Sequence, residues 1–252
     1  MTFLDKLSAA VRAKRSVLCV GLDPDPARLS TSVEDHCRRV IDATLPFAVA
    51  YKPNLGFFEA LGPDGLRIFD RILRHIPDDC VTIADAKRGD IGNTAERYAH
   101  AFFQEFQVDA VTVNPLMGIE TVLPFLNDPA KAAFVLTLTS NPGAAEYLFE
   151  LAPRIAAALG ALSTAGHAGM VIGATHPEAI EGIVAKHPLG TLLIPGVGTQ
   201  GGSIEALRRA LAAHEGIPLV NVTRDIFYAS DPADRARHYH GELSALSERH
   251  CG

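Results

Sequence analysis

Eight short apolar runs, spread over the whole chain and separated by longer alanine-rich segments with charges at helical spacing, restrict what this sequence can fold into. They read "SVLCVGLD" (16–23), "FAVAYK" (47–52), "CVTIADAK" (80–87), "VDAVTVN" (108–114), "AAFVLTLT" (132–139), "AGMVIGA" (168–174), "GTLLIPG" (190–196) and "IPLVNVT" (217–223). Runs with so little polar alternation suit strands buried on both faces, as parallel strands covered by helices are. Eight such βα units over 252 residues match, in number and length, an α/β fold of one domain spanning 1–252, the (β/α)8 TIM barrel. A doubly wound open sheet is the alternative. It would carry its glycine-rich turn after strand one, whereas here strand one ends in "GLDPDP" and the glycines cluster after strand seven. Residues 3–14 read as a helix preceding strand one, and 232–249 as the closing helix.

Formal net charge is −6, with no run of like charges, so no basic field invites nucleic acid. No apolar run approaches the roughly 20 residues of a membrane span. The amino terminus, "MTFLDKLSAAVRAKRS", alternates charge with apolar residues and lacks the apolar core of a signal peptide, which sets a cytoplasmic expectation. Four cysteines, Cys19, Cys37, Cys80 and Cys251, show no CxxC spacing and read as thiols of a reducing compartment. The ten histidines show no HExxH pattern, and most fall in helix- or turn-like segments such as "LRHIPDD" and "RHYHGEL", where surface positions are expected.

The stretch "VTIADAKRGDIGNTAERYA" (81–99) begins as a buried strand and then crowds Asp85, Lys87, Arg88, Asp90 and Glu96 together. Strand alternation puts Asp85 and Lys87 on the face that has just buried Val81 and Ile83, a placement whose desolvation cost paired charges only partly offset. Either they form a structural ion pair or they do chemistry. In such barrels the active site lies at the carboxyl ends of the strands. Asp23 ends strand one, Lys52 strand two, Asp85 and Lys87 strand three, Asn114 strand four; Ser140 and Asn141 follow strand five, Thr175 strand six, and Thr223 with Arg224 ends strand eight. Any one of these residues could be a turn former or cap. Their shared rim favours a site.

After strand seven, "IPGVGTQGGS" (194–203) includes Gly198, Gln200 and Gly201 and opens a helix near Ser203. Glycines permit close backbone approach to an anion, and Arg224 suits bidentate phosphate contact, so a phosphorylated substrate is expected. Two carboxylates in "LDPDP" raise the question of a metal, but the acids of strands one and three are interleaved with Lys52 and Lys87, which argues against a cation site.

With these residues in place, "DAKRGDI" resembles the DxKxxD-I signature of orotidine 5′-phosphate decarboxylases, and "DAKRGDIGNTAERYA" looks like their bacterial subgroup with larger chains. The resemblance runs in order along essentially the whole chain: Asp23, "YKPN", the signature, "TSNPGA", "PGVGTQGG" and "TRD". Thr223 stands where much of the family has glycine. The resemblance implies a cofactor-independent decarboxylation yielding uridine 5′-monophosphate in pyrimidine biosynthesis, with no metal. Lys87 would be the cation and proton donor, flanked by Asp85 and Asp90. Lys52 and Asp23 would contact the ribose, Ser140 the pyrimidine beside Asn141, Gln200 both base and phosphate, and Gly198, Gly201 and Arg224 the phosphate. It further implies a homodimer in which Asp90, Ile91 and Thr94 enter the partner's site. Three rivals are a magnesium-dependent phosphosugar decarboxylase or synthase of the same superfamily, a Schiff-base aldolase using Lys87, and a catalytically inactive nucleotide-binding barrel.

Overall fold

Parallel strands need long return connections, and each apolar run is followed by one. The computed structural model describes residues 1–162, 166–198 and 201–251. At its centre stand β1 Leu18–Leu22, β2 Ala48–Pro53, β3 Val81–Arg88, β4 Ala110–Val113, β5 Ala132–Leu138, β6 Ala168–Ile172, β7 Leu192–Ile194 and β8 Pro218–Val222. Each pairs in parallel with the next, and β8 pairs with β1, so the sheet closes into a barrel. Every strand lies within one residue of the run that foreshadowed it.

Around the barrel lie α1 Phe3–Lys14, α2 Val33–Thr44, α3 Leu55–Glu59, α4 Pro63–His75, α5 Gly92–His100, α6 Ala144–Leu162, α7 Pro177–Val184, α8 Ile204–Ala210, α9 Arg224–Phe227, α10 Pro232–Glu242 and α11 Ser244–Ser247. Two departures from simple alternation have local causes. Between β4 and β5 the chain makes only 3-10 turns, Ile119–Thr121 and Leu123–Leu126, because Pro115, Gly118, Pro124 and Pro129 interrupt any longer helix. The expected closing helix over 232–249 is broken after Glu242. Gly241 weakens the helix there, and Leu243 and Leu246 beyond it are buried. None of the described helices is long and apolar enough to cross a membrane.

The amino end of the barrel is sealed by α1. Thr2 and Asp5 form a reciprocal capping box at its start, and Phe3, Leu7, Ala10 and Val11 present one apolar stripe to the strands. Its Lys6 donates to both oxygens of Asp109, at 2.8 and 2.7 Å. Asp109 also accepts from the Thr82 amide and hydroxyl, at 2.8 and 3.0 Å. One carboxylate thereby ties α1, β3 and the start of β4 together.

Cys19, Cys37 and Cys80 are buried and free, and burial pushes the thiols of Cys19 and Cys37 up to about 12, so they serve as packing. The expectation that the histidines lie at the surface fails for three. His36, His187 and His214 are buried, each with Nε2 on a backbone carbonyl, of Phe227, Ala168 and Gly190 respectively. A neutral imidazole can terminate a buried carbonyl in this way.

Removing Asp109 should therefore loosen the barrel base rather than the rim. Asp109→Ala is expected to cost on the order of 3 kcal/mol by stranding Lys6 and two Thr82 donors. A urea melt with a lowered midpoint and unchanged slope would bear this out; an unchanged midpoint would refute it.

Candidate active site

Neighbouring strands lie under 5 Å apart, so residues at successive strand ends meet however distant in sequence. At the carboxyl end of the barrel, β1, β2 and β3 bring Asp23, Lys52, Asp85 and Lys87 to one cavity of about 300 Å³. Lys52 Nζ lies 2.5 Å from Asp85 Oδ2, and Lys87 Nζ 2.5 Å from Asp85 Oδ1. Asp85 is thus the shared counter-ion of two ammonium groups. The opposite wall is apolar, built from Leu136, Val171, Leu193 and Pro195 of the strands across the barrel.

Burial is the largest single influence on the Asp85 carboxyl and would raise it, but the charges and hydrogen bonds of Lys52 and Lys87 together outweigh it and hold the group well below the usual carboxylate range. Burial likewise pulls Lys52 down, and the charges of Asp85 and Asp23 reverse this, holding its ammonium above the ordinary lysine value. Lys52 and Asp85 are nearly buried, whereas half of the Lys87 side chain is open, so Lys87 is the most accessible of the three, although all of them line the cavity. Asp23 Oδ2 accepts from Asn54 at 3.3 Å, while its Oδ1 is buried with no donor among the described residues. Such an oxygen is suited to a ligand hydroxyl.

The other expected residues divide. Ser140 and Asn141, after β5, line the cavity. Gly198 and Gly201 have φ of 82° and 85°, backbone that favours glycine, and Gly201 donates to the Gly198 carbonyl at 2.9 Å. Gln200 lies outside the described residues. Arg224 does not end β8 but opens α9, where it is exposed and off the cavity wall, with no ion pair among the described residues. The short helix after the glycine loop has seven residues and is already capped by Ser203, so anion binding would fall to the loop and Arg224. Asp90, Ile91 and Thr94 do not reach the cavity of their own chain: Asp90 Oδ1 accepts the Ile91 amide, Ile91 is 62% exposed, and Thr94 is exposed. Asp90 is not the cap of α5 either, since Ile91 occupies that position.

Sequence reasoning missed Asn54, Asn221 and Thr112 on the cavity wall. Thr112 sits inside "VDAVTVN" and donates to Asp85 Oδ1 at 3.1 Å; nothing in a β-branched residue of an apolar run distinguishes it from strand packing. Thr223, odd by family pattern, has a local reason. Its side chain fills the space beside Gly21, where a Cβ would collide with it, and its hydroxyl accepts from Asn221 at 3.1 Å. A second cavity, about 320 Å³, lies at the amino end against Lys6, Thr82 and Asp109, whose polar atoms satisfy one another.

Known proteins share this chain's sequence pattern and fold. The model of the orotidine 5′-phosphate decarboxylase / HUMPS family matches residues 16–239. Orotidine 5′-phosphate decarboxylase of Variovorax paradoxus is 40% identical over 258 residues, covering 94% of this chain and 93% of that one. The enzyme of the same name from Roseiflexus sp. (strain RS-1) is 41% identical over 245 residues, covering 91% and 90%. Among solved structures, a putative orotidine-monophosphate-decarboxylase from Toxoplasma gondii superposes with TM-score 0.91 at 36% identity, over 99% of this chain and 97% of that one. Leishmania donovani UMP synthase gives TM-score 0.89 at 37% identity; 98% of this chain is covered but only 57% of that longer chain.

The charge array makes its own prediction. Because the folded Asp85 carboxyl lies below its ordinary value, its contribution to stability is fully present above about pH 4 and is lost as pH falls below that. Because Lys52 is held above its ordinary value, its contribution is present below about pH 10.4 and is lost as pH rises beyond. Asp85→Asn, which strands two ammonium groups, is expected to cost about 3–5 kcal/mol at pH 7 and to flatten the acid limb between about pH 4 and 2. Denaturant midpoints measured across that range check both. A wild-type-like midpoint at pH 7 would show that the array does not depend on Asp85.

Proposed function

The chain belongs to the orotidine 5′-phosphate decarboxylase / HUMPS family, and from that premise we propose that it converts orotidine 5′-phosphate to uridine 5′-monophosphate and carbon dioxide, a step of pyrimidine biosynthesis. The observation that carries the reading is the Lys52–Asp85–Lys87 array. Loss of carbon dioxide from ring carbon six leaves an electron pair in an sp² orbital orthogonal to the ring π system. Simple delocalisation cannot absorb it, so the anion needs electrostatic stabilisation. The C–C bond breaks with its electrons left on carbon six, and the Lys87 ammonium, charged and aimed by Asp85, stabilises the pair and then gives it a proton. Lys87 regains that proton from solvent. No cofactor is required in this scheme.

In this reading Lys52 and Asp23 take the ribose hydroxyls, with the orphan oxygen of Asp23 as acceptor. Ser140 and Asn141 face the pyrimidine. Gly198, Gly201, Gln200 and Arg224 take the phosphate, whose binding energy closes the loop over the site. The magnesium-dependent phosphosugar rival would want a further acidic ligand at the rim; Lys52 stands there instead, committed to Asp85. A Schiff-base role for Lys87 is disfavoured because its nitrogen is already engaged, 2.5 Å from the Asp85 carboxylate. Three buried free thiols fit a cytoplasmic setting.

The working unit in this proposal is a homodimer, with Asp90, Ile91 and Thr94 completing the partner's site. None of the three lines the cavity of its own chain. Ile91, Leu116 and Met117, on the loops after β3 and β4, expose apolar surface that a two-fold interface would bury.

Two experiments test these claims. With excess chelator present, the wild-type chain should consume orotidine 5′-phosphate, followed by absorbance, while Lys87→Ala binds product nucleotide but does not turn over. Turnover by Lys87→Ala within about tenfold of wild type, a barrier change of only about 1.4 kcal/mol, would remove the assigned role. Separately, inactive Lys87→Ala and Asp90→Ala chains, co-refolded, should form hybrids with one intact site and regain about a quarter of wild-type activity on random pairing. A mixture that stays inactive despite proven subunit exchange would place Asp90 in its own subunit's chemistry.

A further inference from the structure

Along β3 and β4 the pairing runs Ile83 to Ala110 and Ala84 to Val111, then resumes at Arg88 with Val113. Three residues of β3, Asp85, Ala86 and Lys87, therefore face a single residue of β4, Thr112. This is a bulge with two extra residues, and a bulge leaves ladder donors without partners. Within it Lys87 takes φ of 48°, a left-handed conformation uncommon for a residue with a side chain. The conformation needs support from its surroundings.

We infer that Thr112 is the positioning residue that holds this bulge and so aims Lys87. Its hydroxyl bonds to all three residues opposite it. It accepts from the Ala86 amide at 3.0 Å and the Lys87 amide at 2.9 Å, and donates to Asp85 Oδ1 at 3.1 Å. One donor and two lone pairs are the full capacity of a hydroxyl. The same Asp85 oxygen receives Lys87 Nζ at 2.5 Å. The Lys87 backbone and its ammonium are thus both referred to a single atom, Thr112 Oγ1, which is buried in the wall of the cavity. Thr112 has no capacity left for a ligand, so its effect on chemistry passes through Lys87 and Asp85.

Valine has the shape of threonine without the hydroxyl. Thr112→Val would leave two amides and a carboxylate oxygen short of partners, and the bulge would relax toward regular pairing, displacing Lys87. A displacement of about 1 Å is expected to lower kcat about 100-fold, with much less change in KM and in product-nucleotide affinity. Thr112→Ser, which keeps the oxygen, should recover turnover to within about threefold, since the oxygen rather than the methyl does the positioning. Should the valine variant fail to fold, Thr112→Cys against Thr112→Ser makes the same comparison, because sulfur is a weak acceptor. Hydrogen exchange supplies a readout independent of activity: the Ala86 and Lys87 amides should lose protection in Thr112→Val while the β1 and β2 amides keep theirs.

The kinetic arm rests on the decarboxylase reading. A wild-type chain inert toward orotidine 5′-phosphate would overturn that reading while leaving the exchange arm to decide the inference. An active wild type with Thr112→Val equally active, or with Ala86 and Lys87 amides still protected, would overturn the inference alone. A serine variant as impaired as valine would overturn it as well.

Discussion

A carboxylate in a wall of apolar strands costs several kcal/mol to desolvate, and Asp85 bears that cost because two ammonium groups and a hydroxyl converge on it. The rest of the rim follows from this arrangement. Lys52 can be buried because Asp85, with Asp23 beside it, neutralises it. Lys87, half open to the cavity, is held in place by the same carboxylate. With Asp23 the four charges alternate and sum to zero, so the cavity concentrates local fields without a net charge that the barrel would have to accommodate.

Closure of the barrel makes that convergence possible. Asp23, Lys52 and Asp85 come from three successive strands, and an isolated bridge between Asn54 and Asp85 extends the β2–β3 pairing to the level of the site. The same strand pair, β3 and β4, also carries the polar anchor at the opposite end. There a threonine of β3, Thr82, bonds to Asp109 just before β4; at the rim a threonine of β4, Thr112, bonds to Asp85 of β3. Both contacts hold a buried carboxylate to the neighbouring strand. At the base the polar atoms of Lys6, Thr82 and Asp109 bond to one another. At the rim one Asp23 oxygen and half of Lys87 are left over for a ligand.

Much of this was legible in the chain. Fully buried parallel strands must be continuous apolar runs, so the eight strands stood out, and the residues at their carboxyl ends could be assembled into a rim from their order alone. Asp23, Lys52, Asp85, Lys87, Ser140 and Asn141 do meet there. Other features were hidden for stated reasons. His36, His187 and His214 look like surface residues in sequence because the carbonyls that receive them come from segments distant in the chain. Helix periodicity over 232–249 could not reveal the break after Glu242, because the buried residues on either side of it, Ala236, Tyr239, Leu243 and Leu246, keep helical spacing.

By itself the sequence determined the strand count, the order of the polar residues around the barrel and the chemistry available to them, because burial and side-chain type are local properties that each run carries with it. Tertiary structure alone decided how those groups are used. Strand alternation places Asp85 and Lys87 on one face but does not foretell the bulge in which Lys87 sits, since that bulge is held by a hydroxyl on the neighbouring strand. Gly21 makes room for Thr223 from across the β1–β8 seam, a match between residues some 200 positions apart. Asp90, only three residues beyond Lys87, leaves the cavity because the chain has by then passed the end of β3 and turned into α5. Proximity along the chain does not survive the end of a strand, whereas proximity across a closed sheet is imposed by its hydrogen bonds.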